Sequence, residues 1–418
     1  MTLPQAPGGT VTVGATPTPT PSPTASPSPA PTATPVAVPT PPLADARLRL
    51  PSGFVANVVA NVSGARELAA LPNGDLLVGT SGTTVAILPN AESAGVASTP
   101  ATFAAINDAP VQGVAYGGGF VFVATQHGVY RIVYANGAQS GTPAKIAAVR
   151  TGTVAPNSDG DVHSTSSLAV SGSTLYVGVG SSCNACTEVD ATRAVVLRMG
   201  IDGSGMTQQA VRFRNAIALA TDPATGTVWA GGAGQDALPF GHPYEFADAV
   251  SLRSAPANYG WPSCEENDVP YAGGANCAGV QVPALEFPAY STLIGAAFYP
   301  AAQSGAYVFP AAWRGGLFVG AHGSWHLNNG IFATAPHVAF VPFAGTFPAR
   351  AVNWSDPTAQ WNDFFTGFQD AGGTRIGRPT GVAVGAQGSL FVADDFTGNV
   401  YRIRPVGGSS SARAREPR

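Results

Sequence analysis

An all-β fold, a six-bladed β-propeller behind a disordered Pro/Thr-rich N-terminal segment, is what this sequence predicts, on three observations. The first is composition. Among 418 residues only 11 % are charged, against 45 % hydrophobic, with 51 Gly and 37 Pro. Long exposed helices draw on Glu, Lys and Arg, so a chain this poor in them is not mainly helical. The second is a hairpin pattern that occurs six times: an apolar run, a Gly-containing turn, then a second run that usually ends in Val-Gly or Val-Ala. The third is its spacing, about 50 residues between the first four copies, the length of one four-stranded blade.

The segments follow in chain order. Residues 1–46 hold TPTPTPSPTASPSPAPTATPVAVPTPP from Thr16. So few apolar side chains cannot offset the entropy of ordering a backbone, and Pro at nearly every second position favours an extended polyproline II spacer. The opening MTLPQAPGG has no basic stretch leading into an apolar one, so no secretion signal is expected in it. Residues 47–406 are expected to form the propeller. Its hairpins read LAALPNGDLLVG (from Leu68), VAYGGGFVFVA (Val114), LAVSGSTLYVG (Leu168), IALATDPATGTVWAG (Ile217), AFYPAAQSGAYVFPAAWRGGLFVG (Ala297) and VAVGAQGSLFVAD (Val382). The last two intervals are longer and carry insertions. Residues 407–418, GGSSSARAREPR, read as a loose tail. A formal charge of −4 gives no footprint for nucleic acid. No run of about 18 apolar residues is present, so no transmembrane segment is expected.

In a propeller the innermost strand of each blade lines a central channel, and the loop before it opens at one mouth. The residues just ahead of the six hairpins are Arg66-Glu67, Gln112, His163, Arg214-Asn215, Thr292 and Arg378. Three Arg and one His at equivalent positions, in a chain with so few charges, suit an anionic ligand with a base beside it. Capping of loop carbonyls is the structural alternative.

At these residues the chain resembles the soluble PQQ-dependent sugar dehydrogenases, in particular their sorbosone dehydrogenase branch. The likeness is carried by PSGFVANVVANV (Pro51), ARELAALPNGDLLVG (Ala65), LYVGVGSSCNAC (Leu175) and RNAIALATDPATGTVWAG (Arg214). It continues through NYGWPSC (Asn258), AHGSW (Ala321) and GRPTGVAVGAQGSLFVADD (Gly377). The resemblance implies pyrroloquinoline quinone (PQQ) held over the channel mouth with a Ca²⁺ ion. It implies His163 as general base, Arg214 as stabiliser of charge on the quinone oxygen, and Gln112, Asn215 and Arg378 as further cofactor contacts. Gly234 and Gln235 would offer backbone carbonyls to the ion, which accepts oxygen ligands. The chain departs from the pattern where Gly231-Gly232-Ala233 and Pro239-Phe240 replace acids, although Glu245 keeps part of the acidic run. Tyr290 stands in place of a His, and Gly323-Ser324-Trp325-His326-Leu327 lacks an Arg.

Four cysteines remain. Cys183-x2-Cys186 and Cys264-x12-Cys277 lack the paired spacing of a zinc site, and the first pair sits between strands and not at a helix N-terminus. Two local disulfides are expected, which with the Pro-rich spacer place the protein outside the cytoplasm. His322 and His326 have i, i+4 spacing without the Glu of a zinc protease. Trp325, Tyr259 and Trp261 are candidates for stacking on a sugar or on the quinone, with Trp325 assigned to the cofactor. The expected function is oxidation of a sugar or aldehyde by hydride transfer to PQQ, with an electron acceptor as second partner. The alternatives are a propeller that binds a ligand without chemistry and a metal-dependent lactonase-type hydrolase.

Overall fold

The structure, a computed structural model of the chain, describes residues 41–406 apart from 94, 96–97, 156–161, 237–241, 265–269, 271–274 and 329–330. The Pro/Thr-rich stretch before Pro41 and the tail after Val406 lie outside the described residues. Six sheets of four or five strands, antiparallel except where Ala257–Asn258 pairs in parallel with Thr207–Val211, are arranged as a β-propeller, and the described helices are two three-residue 3-10 turns.

The inner hairpin of each blade is one of the six sequence hairpins. Blade 1 opens with Ala65–Ala70 and Leu76–Thr80, blade 2 with Gly113–Gly117 and Phe120–Ala124, and blade 3 with Ser166–Ser171 and Thr174–Val179. Blade 4 opens with Ala216–Thr221 and Val228–Gly232, blade 5 with Leu293–Tyr299 and Gly316–Ala321, and blade 6 with Pro379–Val384 and Leu390–Asp394. Blade 6 takes its third strand from Asn399–Pro405 and its fourth from the other end of the fold, Phe54–Asn61, paired antiparallel from Phe54↔Pro405 to Asn61↔Asn399. The ring is thereby closed by chain segments from both ends.

Alternation explains the packing. Each strand turns one row of apolar side chains to the blade before it and one to the blade after. Six apolar clusters result, one in each gap between blades, including Phe103, Val121 and Ile132 between blades 1 and 2 and Phe309, Phe340 and Phe364 near the closure. The core is thus a ring of interfaces, and the axis is left for a channel.

Candidate functional site at the channel mouth

The inner strands of neighbouring blades run parallel and nearly touch. The Ser167 hydroxyl donates to the Ile217 carbonyl, and that of Thr221 to Val170 O at 2.8 Å. The Thr380 hydroxyl donates to Arg66 O at 3.2 Å. A Cβ on Gly113 would lie 2.5 Å from Ser166 O, so only glycine permits that approach. Six parallel strands begin at one rim, and the loops from each second strand to the third return to that rim. Gln112, His163, Arg214 and Arg378 therefore stand at the same mouth.

His163 is held by its neighbours. Its Nδ1 lies 3.0 Å from Ser181 O and 2.9 Å from Ser181 Oγ. A carbonyl can only accept, so Nδ1 carries the hydrogen, and in the neutral form of the ring the basic lone pair lies on Nε2. Arg150, which sequence reasoning missed, fixes the loop: its buried guanidinium donates to the carbonyls of His163, Thr165 and Gln126 at 2.6 Å each and to Ser166 Oγ at 2.7 Å. Asn215 is the next neighbour. Its Oδ1 and the Cβ of His163 both lie 2.5 Å from the point where a Gly180 Cβ would stand.

Arg214 is buried in a set of acceptors drawn from two loops. Its Nε donates to Asn184 O at 3.0 Å, and one terminal nitrogen donates to Asn184 Oδ1 at 2.9 Å and to Asp236 Oδ2 at 3.0 Å. Asn184 lies inside the Cys183–Cys186 disulfide loop, and its amide also donates to Asp236 O at 3.0 Å. Asp236 faces His326 as well, Nε2 to Oδ1 at 3.0 Å. The second disulfide, Cys264–Cys277, also forms.

A second group lies across the mouth. Arg66 pairs with Asp395 at 2.5 Å, and Asp395 faces His322 Nε2 at 2.8 Å. Burial alone would raise the Asp395 carboxyl, but the His322 bond and the Arg66 charge hold it at about 2. Burial brings His322 down to about 4 against the pull of Asp395, so its ring is neutral near pH 7. Arg378 donates to His322 O at 3.0 Å and Gly323 O at 2.8 Å, and Arg375 to the Ser324 carbonyl. Between the two groups, the exposed Trp325 packs on His326 with ring centroids 4.0 Å apart, and Tyr290 packs on His326 at 4.4 Å.

Several buried polar atoms at this rim have no hydrogen-bond partner among the described residues: Arg66 Nε, Gln112 Nε2, Asn215 Oδ1 and Glu67 Oε1. Donors and acceptors left unsatisfied beside several Arg suit a planar anionic molecule such as a quinone carrying carboxylates, so the residues present fit PQQ. The Gly234-Gln235 loop differs. Arg214 already reaches Ala233 O at 3.4 Å and Asp236, and Gln235 donates its side-chain amide to Pro262 O at 2.9 Å. These bonds use oxygens that flank the loop and the Gln235 side chain, and not the backbone carbonyls of Gly234 and Gln235. Glu245 lies close by, its Cγ 3.9 Å from where a Gly234 Cβ would stand, and accepts the Thr292 N–H. Burial pushes its carboxyl up to about 8.

A TrAA12-like family model matches residues 48–406. The holo PQQ domain of pyranose dehydrogenase from Coprinopsis cinerea is 17 % identical and covers 88 % of this chain and 98 % of its own, with a TM-score of 0.68. A calcium structure of a Trichoderma reesei family AA12 carbohydrate-active enzyme is 18 % identical and covers 90 % of this chain and 100 % of its own, with a TM-score of 0.67. An uncharacterized protein of Borreliella burgdorferi is 22 % identical over 255 residues, 59 % of this chain. The match spans 62 % of that relative's length. At these identities the solved structures establish a shared fold.

Proposed function

The chain belongs to the TrAA12-like family, and we propose that it is a quinoprotein oxidoreductase that oxidises a sugar or aldehyde at the channel mouth. The observation that carries this is the rim itself: His163, with its basic nitrogen on Nε2, beside Asn215 and Arg214, and next to buried donors that have no partner among the described residues. The PQQ named for the Coprinopsis domain supports the choice of cofactor.

Arg66, Arg378 and Gln112 would hold PQQ by charge and amide donation, and Asn215 would accept from it or from the sugar. When bound, the cofactor supplies a carbonyl that accepts a hydride. His163 takes the proton of the sugar hydroxyl on Nε2, while Ser181 keeps its Nδ1–H in place. Arg214, fixed by Asn184 and Asp236, places positive charge beside the reacting group. Trp325 offers an exposed ring face to the cofactor or sugar. No step is assigned to Ca²⁺. The two disulfides and the spacer support a location outside the cytoplasm.

Reconstitution tests the reading. The purified chain is loaded with PQQ, with and without CaCl₂, desalted and followed by absorbance, then by dye reduction with a panel of aldoses and aldehydes. Quinone absorbance should stay with the protein. His163→Ala should keep it while lowering turnover by about 100-fold or more. Absorbance lost on desalting would leave a propeller without redox chemistry.

A further inference from the structure

Behind the mouth, the axis is hollow. A cavity of about 460 Å³ runs along the inner strands, from the level of Glu67 to turn residues such as Pro300, Gln303 and Ala386 at the opposite face. Six alanines, one from each inner strand, keep this bore open: Ala69, Ala115, Ala169, Ala220, Ala297 and Ala383. A space of that size with a carboxyl and hydroxyls in its wall holds water.

Glu67 lines the mouth end of this channel. It is 9 % exposed, and its Oε1 is buried with no hydrogen-bond partner among the described residues. The charged group acting on it is Arg66, which is itself paired with Asp395. A carboxyl kept in such a place without a structural partner is costly, and its position between the mouth and a channel to solvent gives it a task.

We propose that Glu67 is a proton relay, which takes protons released at the mouth and passes them into the axial channel for delivery to solvent at the opposite face. The inference rests on the dehydrogenase reading. Oxidising a hydroxyl to a carbonyl breaks one C–H and one O–H bond. The hydride, with its electron pair, would go to the bound quinone and leave it as an anion carrying one hydrogen, and the hydroxyl proton would go to His163. Sugar and cofactor bound at the mouth would stand between that proton and solvent on the same side. A carboxyl can accept a proton on one oxygen and release another from the second, leaving itself unchanged. Burial raises the Glu67 carboxyl to about 8, so it is protonated near neutrality and can still exchange.

The test compares wild type, Glu67→Gln and Ala386→Trp, the last placing a plug at the exposed far end of the channel. In holoenzyme mixed with a sugar, absorbance follows cofactor reduction and a pH-indicator dye follows proton release. Proton release should lag reduction by about tenfold or more in both variants, with reduction in Ala386→Trp at the wild-type rate. Release that keeps pace with reduction in both variants overturns the relay. Apo protein gives a separate readout: Glu245 also contributes to the infrared absorption of protonated carboxyls near neutral pH, and the component lost in Glu67→Gln is that of Glu67. Identical carboxyl bands in wild type and Glu67→Gln overturn the relay even where sugar oxidation proceeds. Failure of wild type to reduce cofactor with any sugar removes the dehydrogenase reading and the relay with it.

Discussion

Glu67, Glu245 and His322 titrate far from their ordinary values because the fold buries them, and the signs of their shifts set a pH profile. Both carboxyls rise from 4.5 to about 8, so the stability they contribute is fully present below pH 4.5 and is lost as pH climbs through about 8. His322 falls from 6.5 to about 4, so its contribution is complete above 6.5 and is lost as pH drops through about 4. Glu286, which burial raises to about 7, adds to the alkaline side, whereas His322 and Asp395, the latter held at about 2, weaken the fold only towards pH 4 and below. The melting temperature of apo protein should therefore peak on the acid side of neutrality, and Glu67→Gln should flatten its alkaline decline. A melting temperature that climbs steadily to pH 9 would contradict this. The same residues show what a sequence can disclose. The placement of His163, Arg214 and Arg378 at the entry to an inner strand was legible because each sits three to five positions ahead of a repeating hairpin. Asp236, Asp395, Asn184 and Arg150 were not, since their partners are set by the ring closing: Arg66 lies 329 residues from Asp395, and His326 lies 90 from Asp236. A signal for the two acids existed all the same, because each starts or lies in the loop after a second strand, which returns to the mouth.

The inner hairpins were legible for a local reason: a Gly turn between two apolar runs fixes both the reversal and the register. The loops between second and third strands carry no such period, and they hold the site. The loop from Gly180 to Ala194 is the clearest case. Its Cys183–Cys186 bridge fixes Asn184, and Asn184 fixes Arg214, Asp236 and, through its carbonyl, the Trp261 indole at 3.0 Å. Removing this bridge as Cys183→Ser/Cys186→Ser releases a very short loop, worth about 2 kcal/mol on chain-entropy grounds. Cys264–Cys277, with a sequence separation of 13, closes a longer one worth about 3 kcal/mol. The first double variant should thus melt closer to wild type than Cys264→Ser/Cys277→Ser, while losing at least about tenfold in kcat through the misplaced Arg214. Calorimetry beside dye-reduction kinetics separates the two effects. Equal activity in wild type and the first variant would show that Arg214 needs no support from the loop.

At the scale of the molecule, stability depends on closing the ring. Each gap between blades has its own apolar cluster, so no blade is stable unless both neighbours are present, and blade 6 is completed only when Phe54–Asn61 pairs with Asn399–Pro405. That strand buries Val59 completely and sets Phe54 edge-on to Phe309 at 4.7 Å and Phe364 at 5.2 Å. Outside it, Pro41 to Ala44 run along its free edge, where Val58 N–H donates to Pro42 O at 2.8 Å and Ala44 N–H to Ala56 O at 3.0 Å. An edge strand covered in this way is protected from pairing with other chains. Successive N-terminal truncations should respond in steps. Deleting residues 1–40 leaves every one of these contacts and should leave the melting temperature within a degree or two of the full chain. Deleting 1–46 uncovers the edge, and the cost should be small in stability but visible as self-association in sedimentation. Deleting 1–64 removes the closing strand. This strand closes the ring and carries three buried residues, so its loss should remove enough of the roughly 5–15 kcal/mol that holds a domain of ordinary stability for cooperative melting to disappear. A 1–64 deletion that still melts cooperatively would mean that the ring closes without its N-terminal strand, and that the clusters on either side of blade 6 hold the fold without it.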